Sequence, residues 1–446
     1  MKKLLVALLL LGICFRALAS DFLYFFEFPS ETAKTNLKFP TGNDAKSIFE
    51  QGVCYMFGIG VEKNPQKAVE LFTQSSFLGS NEGKYAMAKC MMLGDGIDKN
   101  VPLAKSFLNA LIKNDFAPAI SFYGYCYENG IEVAKSPLAA QTLYQKAKIL
   151  GSARAIVALA RIAGEKKDVS LAKDVIDPLR KFATANNFEA MYALGVLLAD
   201  GIGCNSDIFE ANRLFASCSD YPPAQFKLAM NYLEGKGVVA DINKSIELLQ
   251  KSAKNGYAPA TNNLAVCYQN GLGVEKNLAR AIQLFQEAAK KDYATAQNNL
   301  AVCYLQRLAG TLEEGVYWLT KAAENGESDS WENLARCYLE GVGTEKNPSQ
   351  AVYWLEKAEK NSVWAKSNLG RIYVDGVYVQ QNLTRGISLL SEAVKENDSE
   401  AMLHLGACYY TGTGVEKDID AAVVLFRKSA QLGNKQARDV LRKIGK

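Results

Sequence analysis

The feature that most constrains this chain is a unit of 34 to 36 residues that recurs over most of its length. In the stretch 258–292, apolar residues follow helical spacing on both sides of Gly271 and Gly273. Glycine is favoured where a helix ends in a left-handed residue. Each unit is therefore predicted to be a helix, a glycine turn and a second helix, called helix A and helix B below.

Three positions of the unit carry similar residues in most copies, and each such set of equivalent residues is called a column. The first column is mostly tyrosine. In most copies a glycine lies three residues after it and a small residue lies thirteen residues after it. A period of this length predicts a helical solenoid in which each unit buries its apolar face on its neighbours. We therefore expect an all-α, right-handed α/α superhelical solenoid of about eleven repeats over residues 45–433. The first column is Tyr55, Met91, Tyr127, Ile162, Leu198, Tyr232, Tyr268, Tyr304, Tyr338, Tyr373 and Tyr409.

The residues within the unit narrow the type of solenoid. Helix A and its turn read Leu264-Ala265-x-x-Tyr268-x-x-Gly271-x-Gly273-Val274, and helix B carries Ala281-x-x-Leu284-Phe285-x-x-Ala288-Ala289. This pattern resembles the Sel-one-like repeat, a relative of the tetratricopeptide repeat with a glycine-rich turn. The resemblance covers roughly residues 45–433 and implies a scaffold that binds a protein or peptide, without identifying a ligand.

The N-terminal residues 1–19 have the features of a secretory signal peptide. Lys2 and Lys3 precede an apolar run at 4–14, and Ala17-Leu18-Ala19 offers a small-x-small cleavage site. We expect an exported protein, periplasmic or secreted, with no stable membrane insertion after cleavage. Without this segment the chain carries 48 basic and 47 acidic residues, so its charge gives no reason to expect nucleic-acid binding.

Two segments lie outside the repeats at their ends. Residues 20–44 contain an aromatic run at 22–28, which fits either a cap over the first repeat or a docking segment for a partner. Residues 434–446 are predicted to form a closing amphipathic helix.

Two repeats depart from the pattern. The repeat at 153–188 lacks the glycine pair in its expected turn, 164–168, and carries Pro178 in helix B. Because proline is tolerated mainly in the first turn of a helix, this helix B is expected to start late or to kink. The eighth repeat has a shortened turn near 304–315.

Nine cysteines follow the signal segment, and seven of them directly precede the first column. Equivalent residues of stacked repeats should lie about 10 Å apart, whereas a disulfide needs Cα atoms within about 7 Å. These seven are expected to be small buried residues with free thiols. Cys204 and Cys218, both in the fifth repeat, are the one plausible disulfide.

The sequence offers few residues for catalysis. It has a single histidine, His404, and no cysteine cluster, so we expect no metal site and no cofactor. Ser170-Leu171-Ala172-Lys173 matches the Ser-x-x-Lys element of penicillin-recognising enzymes, but their other elements are missing. We expect no enzyme; the alternative is a β-lactamase or penicillin-binding type enzyme, an activity linked to some cysteine-rich relatives.

An asparagine column in helix A is the main candidate for binding. The resemblance implies that helix A lines a concave surface, where asparagine amides can bond to an extended peptide. Alternatively, each asparagine bonds to the neighbouring helix and holds the stack together. The earlier repeats lack this column, which confines any such groove to about residues 260–405. The candidate residues are Asn262, Asn263, Asn298, Asn299, Asn333 and Asn368, with His404 in the same column.

Aromatic residues concentrate in the same part of the chain. Tyr317-Trp318, Tyr353-Trp354, Trp331 and Trp364 provide either a hot spot for a partner or packing between repeats. A further alternative function is a lumenal adaptor in eukaryotic protein quality control, for which Asn382 would be a glycosylation acceptor.

Overall fold

The computed structural model describes residues 38–218 and 220–445. All regular elements in these ranges are α-helices, 23 in number, which confirms the predicted all-α solenoid class. The chain forms two compact units, one ending at Asp241 and one beginning at Ile242. The predicted signal peptide and the aromatic run at 22–28 lie outside the described residues.

The first unit consists of five helix pairs followed by one further A helix, and its odd-numbered helices are the A helices. Its helices are α1 (Ala45–Phe57), α2 (Pro65–Phe77), α3 (Asn81–Leu93), α4 (Val101–Lys113), α5 (Ala117–Asn129), α6 (Pro137–Ile149), α7 (Ala153–Lys166), α8 (Val169–Thr184), α9 (Phe188–Asp200), α10 (Ile208–Ser217) and α11 (Pro222–Glu234).

The second unit continues the same alternation and ends in a short helix. Its helices are α12 (Ile242–Lys254), α13 (Ala258–Asn270), α14 (Leu278–Ala289), α15 (Ala294–Leu305), α16 (Leu312–Glu324), α17 (Ser328–Glu340), α18 (Pro348–Ala358), α19 (Val363–Asp375), α20 (Leu383–Lys395), α21 (Ser399–Thr411), α22 (Ile419–Gln431) and α23 (Lys435–Lys443). No helix in the described ranges has the length and apolar composition of a membrane-spanning segment.

The turn between α13 and α14 shows why the glycines recur. Gly271 has φ of 75°, a left-handed conformation that glycine adopts without strain, and its N–H donates to the Cys267 carbonyl at 2.8 Å. Gly273, also at positive φ, lies against helix B of the preceding repeat. A Cβ there would lie 2.7 Å from Ile242 Cγ1 and 2.9 Å from Ile246 Cγ1. The first glycine therefore ends helix A, and the second allows the turn to contact the preceding repeat.

A capping column, which the sequence analysis overlooked, closes the same turn. The N–H of Asn277 donates to the Tyr268 carbonyl at 2.8 Å, and its side chain accepts from the Arg280 N–H at 2.9 Å. One residue thus fixes the turn and caps helix B, which explains why only short polar residues occupy the position. Both bonds recur at Asn64, Asn100, Ser136, Asp207, Asn347, Asn382 and Asp418.

The small-residue column forms the tightest part of the core. Ala281 in α14 is fully buried, as are its equivalents Ala68, Ala104, Ala211, Ala351 and Ala422. In several repeats a large side chain of helix B packs on a glycine of helix A: a Cβ on Gly195 would lie 2.5 Å from the Phe215 ring. Small residues at these positions let the two helices of a repeat approach closely, and the larger apolar residues fill the space between them.

The irregular fourth repeat forms two helices, as the regular repeats do. Residues Gly164–Lys166 extend α7 rather than forming a turn, and Lys167, at φ of 53°, ends that helix. The late start predicted for helix B does not occur, because Asp168 caps α8 by accepting from the Leu171 N–H at 3.0 Å. Pro178 lies inside α8, and Val175 and Leu179 of the same helix are buried.

The disulfide considered between Cys204 and Cys218 does not form. Both are free thiols: Cys204 Sγ lies 3.8 Å from the Leu197 carbonyl oxygen in the turn after α9. Cys218 is fully buried after α10, with its Sγ 3.7 Å from Met191 Sδ. Helix α10 carries Cys218 into the interior while the glycine turn holds Cys204 near the surface. The two sulfur atoms therefore face different surroundings.

Candidate functional site

The candidate surface lies on the A helices of the second unit, α13, α15, α17, α19 and α21. Successive A helices contact each other directly, α13 with α15 and α19 with α21, in addition to their contacts with B helices. This arrangement brings the A helices of neighbouring repeats close together. Side chains at equivalent positions can therefore bond from one repeat to the next.

The asparagine column forms such bonds across repeats. Asn299 Nδ2 donates to Asn262 Oδ1 at 2.9 Å, and Asn333 Nδ2 lies 3.4 Å from Asn298 Oδ1. Asn262 and Asn298 are buried, and Asn298 Oδ1 also accepts from Ser330 Oγ at 3.1 Å. Asn262 and Asn298, the first residues of their asparagine pairs, are called the inner asparagines. Each accepts a hydrogen bond from the following repeat.

The bonding continues beyond the asparagines. Glu332, which replaces the inner asparagine in the ninth repeat, accepts from Ser362 Oγ at 2.7 Å. One repeat later the inner position is Ser367, whose buried hydroxyl has no hydrogen-bond partner among the described residues. The chain of inter-repeat bonds therefore extends from Asn262 to Ser362. The contributions of Ser330 and Ser362 depend on the packing of adjacent A helices and have no sequence signal of their own.

The asparagines that directly follow the inner positions, called the outer asparagines, remain partly accessible to solvent. Asn299 and Asn333 are half-buried, and each uses one amide hydrogen in its bond to the preceding repeat. Within residues 38–218 and 220–445, no hydrogen bond engages Oδ1 of either side chain. These amides can still accept through oxygen and donate through a second hydrogen. Asn263, the first residue of the column, is also half-buried.

The last two members of the column differ from the others. Asn368 Nδ2 donates to the Trp364 carbonyl of its own helix at 2.9 Å, so it makes no bond between repeats. His404 is half-buried, with Nε2 3.8 Å from Glu400 Oε2. Burial, assisted by nearby Arg371, lowers the pKa of His404 below its ordinary value of 6.5. The imidazole is therefore mainly neutral at pH 7 and presents both a donor and an acceptor.

The tryptophans and tyrosines divide between core and surface. Trp354 is buried, whereas its neighbour Tyr353 is exposed, and Tyr317 is likewise exposed beside half-buried Trp318. On the A helices, the Arg336 guanidinium lies 4.8 Å from the centre of the Trp364 ring, joining the ninth and tenth repeats. Trp364 therefore lies at the edge of the asparagine surface, while Tyr317 and Tyr353 lie on B helices.

Comparison with known proteins identifies the repeat. The Sel1 repeat profile matches ten segments, which together cover most of the chain: 45–80, 81–114, 117–152, 188–217, 222–257, 258–293, 294–327, 332–362, 365–398 and 399–434. The chain belongs to the Sel1 repeat family. Repeats of this family generally serve as protein-interaction modules. The segment between 152 and 188 is not matched, yet it forms the helix pair α7 and α8.

Solved structures of other Sel1-type proteins are similar to this chain. A protective antigen of uropathogenic Escherichia coli with an SLR fold is 23% identical, with a TM-score of 0.52, over 90% of this chain and 79% of its own. A Sel1 repeat protein of Oxalobacter formigenes is 25% identical, with a TM-score of 0.44, over 50% of this chain and 94% of its own. The first of these similarities supports the fold.

Curated relatives match over a short segment only. DAP3-binding cell death enhancer 1 of Rattus norvegicus is 42% identical over 50 residues, and its Mus musculus counterpart is 36% identical over 58. The chain spans about a tenth of the length of these relatives.

The cysteine column belongs to the core of the Sel1 repeats. Cys54, Cys90, Cys126, Cys267, Cys303, Cys337 and Cys408 are buried free thiols, as predicted. Burial raises the pKa of Cys54 and of Cys90 to about 12, so these thiols stay protonated at neutral pH. A protonated buried thiol is a poor nucleophile and a poor metal ligand. The column therefore contributes packing to the repeats.

The Ser-x-x-Lys element lies on the surface of the irregular repeat. Ser170 and Lys173 are both exposed in the first turns of α8. Activation of a serine by lysine depends on a desolvated amine in a pocket that excludes water. An exposed position on one helix provides no such pocket.

Proposed function

We propose that this Sel1 repeat protein is an exported, non-enzymatic scaffold that binds an extended peptide segment of a partner protein along the A helices of its second unit. The observation that supports this is that Asn299 and Asn333 are half-buried and held in place by their neighbours, while no described residue donates a hydrogen bond to their amide oxygens. Because each is fixed by a bond to a buried asparagine, binding costs little side-chain entropy.

The spacing of the column suits an extended backbone. Neighbouring packed helices lie about 8–10 Å apart, and an extended chain rises about 3.3 Å per residue. Successive asparagines therefore meet the peptide about every third residue. Each amide can pair with one backbone carbonyl and one backbone N–H, which gives affinity with little dependence on sequence. Trp364, stacked beneath Arg336, offers an aromatic contact at the same surface.

Export is part of the proposal and rests on the sequence alone. Lys2, Lys3, the apolar run at 4–14 and the Ala17-Leu18-Ala19 site support a cleaved secretory signal and a periplasmic or secreted protein. The curated relatives are named for binding another protein, which agrees with an interaction role. A lumenal adaptor in a eukaryotic cell remains the alternative, and a glycan attached at Asn382 would favour it.

The penicillin-directed alternative rests on Ser170 and Lys173, which are exposed and share one helix. Nitrocefin hydrolysis by the purified protein, with Ser170→Ala as its control, tests this activity. Turnover that disappears in the variant would replace the scaffold proposal by an enzymatic one.

Peptide display tests the binding proposal directly. Dodecapeptides selected on the full chain are labelled, and their affinities are measured by fluorescence anisotropy. Asn333→Ala and Asn368→Ala together should weaken binding about tenfold or more, since each removes a bidentate contact worth about 1 kcal/mol. Asn243→Ala, at an exposed position on α12, is the matched control.

The control variant should bind within about twofold of the parent chain, since a surface amide away from the site contributes little. Circular dichroism establishes that all variants keep their helical content. Equal peptide affinity in the parent chain and the double variant would contradict the proposed surface.

A further inference from the structure

The outer asparagines Asn299 and Asn333 are held in the same way one repeat apart. Asn299 Nδ2 donates to Asn262 Oδ1 at 2.9 Å, and Asn333 Nδ2 lies 3.4 Å from Asn298 Oδ1. Because each amide is fixed by the equivalent bond to the preceding repeat, the two amides have similar orientations relative to their own repeats. A ligand that pairs with both must therefore present similar backbone groups at intervals of one repeat.

The distance between repeats selects the backbone conformation of such a ligand. Neighbouring packed helices lie about 8–10 Å apart. Two residues of a β-strand span about 6.6 Å, which is too short, and three residues span about 10 Å but turn the opposite face of the strand to the second amide. An α-helix uses its backbone N–H and C=O groups internally.

The polyproline II helix meets both conditions. It has three residues per turn and rises about 3.1 Å per residue, so one turn spans about 9.3 Å and returns the backbone to the same orientation. Its backbone makes no internal hydrogen bonds, which leaves the carbonyl groups available to a second hydrogen of each asparagine amide. Successive turns of this helix can therefore pair with successive outer asparagines.

The two A helices α13 and α15 are uncharged. Neither contains an aspartate, glutamate, lysine or arginine, whereas every other A helix in the described ranges contains at least one. Half-buried Val266 and Val302 follow Asn263 and Asn299 by three residues and therefore share their helix faces. Burying a charge without an ionic partner is unfavourable. This surface therefore fits an uncharged segment that brings an apolar side chain to each repeat.

From the orientation of the amides, the spacing of the repeats and the absence of charge we infer that the partner segment is an uncharged polyproline II helix with the repeating pattern Pro-Pro-Xaa, in which Xaa is apolar. This inference rests on the peptide surface proposed above and specifies the conformation and composition of its ligand. The segment lies over α13 and α15 and reaches Asn333 of α17.

The pattern follows from which residues face the column. In a polyproline II helix every third residue faces the same side. The residue that faces the column keeps its N–H for the Oδ1 atom of an outer asparagine, so it is not proline, and its side chain contacts Val266 or Val302. The other two residues face away from the column. Proline at these two positions fixes φ near about −65° and reduces the conformational entropy lost on binding.

Fluorescence anisotropy with three labelled, uncharged dodecapeptides tests the inference on the full chain. The first consists of four copies of Pro-Pro-Leu, and the second has the same composition with two leucines at each end. The third consists of four copies of Gln-Thr-Val, which keeps the apolar spacing without proline. The first should bind with a dissociation constant below about one millimolar. The other two should each bind about fivefold more weakly or worse, since one loses the spacing and the other the preformed helix.

Two variants test whether the first peptide lies on the column. Asn333→Ala removes a paired amide and should weaken its binding about fivefold. Val302→Thr keeps the side-chain shape but places a hydroxyl against the leucine, and it should weaken binding by a similar factor. Asn243→Ala, at an exposed position on α12, is the control and should change the affinity less than about twofold. Circular dichroism of each variant excludes unfolding as the cause.

The inference and the proposed function fail in different ways. If peptides selected by display bind through Asn333 and Asn368 but the Pro-Pro-Leu peptide does not bind, the surface takes a peptide of another conformation and the inference is wrong. Equal affinity for the three peptides, or equal affinity in the parent chain and both variants, would also overturn it. If the selected peptides do not depend on the asparagine column either, the peptide surface itself is refuted.

Discussion

At the scale of the residue, the structure gives the asparagine pairs two distinct roles. The inner asparagines Asn262 and Asn298 are buried acceptors, and the outer ones are half-buried donors whose Oδ1 atoms accept no hydrogen bond from the part of the chain that the structure describes. The bonds between repeats support the structural interpretation raised from the sequence, and both members of the column take part in them. Binding of a peptide by the outer members stays a proposal.

The first prediction concerns the bond between Asn299 and Asn262. Asn299→Ala leaves the buried Asn262 Oδ1 without a donor, which should cost about 1–3 kcal/mol in local stability. Adding Asn262→Ala removes the unsatisfied acceptor. The double variant should therefore lose less local stability than the sum of the losses in the two single variants. Native-state hydrogen exchange of amides in α13 and α15 measures each local opening free energy. Strictly additive losses would show that the bond contributes nothing.

A second prediction concerns the pH dependence caused by Glu189, in the first turn of α9. Burial raises its folded-state pKa, so the folded state holds the proton more tightly than the unfolded state. Its contribution to stability is therefore most favourable below the unfolded-state pKa and decreases as pH rises through the folded-state pKa. Glu189→Gln should raise the melting temperature relative to the parent chain at pH 7 and lose this advantage near pH 4.

The control for this measurement is Glu62→Gln, which removes one exposed charge from the same unit. Its melting temperature should follow that of the parent chain at both pH values. If Glu189→Gln lowers the melting temperature at pH 7, then the carboxylate is stabilised where it lies, which would contradict the interpretation of its burial.

At the scale of the element, the turn between the two helices of a repeat has three structural roles. It ends helix A with a left-handed glycine, contacts the preceding repeat through a second glycine, and begins helix B with a polar cap. The fourth repeat achieves the same reversal in two residues, Lys167 and Asp168, by lengthening α7. Its lack of the glycine pair therefore changes the turn without abolishing the helix pair.

The third prediction concerns Gly273, the second glycine of the turn. It distinguishes the need for a left-handed backbone from the need for close packing on the preceding repeat. Gly273→Ala should destabilise its repeat through the left-handed strain, about 1–2 kcal/mol, and through contact with Ile242 and Ile246. Gly326→Ala is the matched control, since Gly326 also has positive φ but no atom within 4 Å of the added methyl group. Thermal unfolding should show a clearly larger loss for Gly273→Ala. Equal losses would mean that close packing is unimportant there.

At the scale of the whole molecule, the protein is an array whose repeats bury apolar surface mainly on their neighbours. In the C-terminal repeat, Phe426 is 2% exposed and packs on Gly406 of the facing helix. Stability in such arrays is approximately a sum of repeat and interface contributions. Damage to one repeat is therefore expected to affect its neighbours most and distant repeats little.

The fourth prediction tests this locality. Phe426→Ala should cost about 3–5 kcal/mol by opening a cavity in the last repeat. Hydrogen exchange followed by mass spectrometry should show faster exchange in α21, α22 and α23, with unchanged protection in α13 and α14. Phe209→Ala, at an exposed position on α10, serves as the control. A uniform loss of protection across the chain would indicate global cooperativity instead.

Residue type and periodicity alone predict the helix pairs, their boundaries at the glycine turns and the burial of the small-residue and cysteine columns. These features depend on residue type at a fixed period, and local backbone preference together with periodic burial suffices to predict them. The sequence also indicated the candidate residues Asn299 and Asn333, because their column recurs with that period. The cap column is visible in the same way, as a short polar residue nine positions after most tyrosines of the first column; Tyr304, whose repeat has the shortened turn, is the exception.

Which side chains meet across repeats depends on tertiary packing. The bond from Asn299 to Asn262 and the contact of Arg161 with Glu128 each join residues from different helix pairs. Cys204 and Cys218 lie close in sequence, yet the packing of their repeat gives the two sulfur atoms different surroundings. Periodicity fixes which face of a helix is buried, whereas the distance between two side chains depends on how neighbouring helices pack.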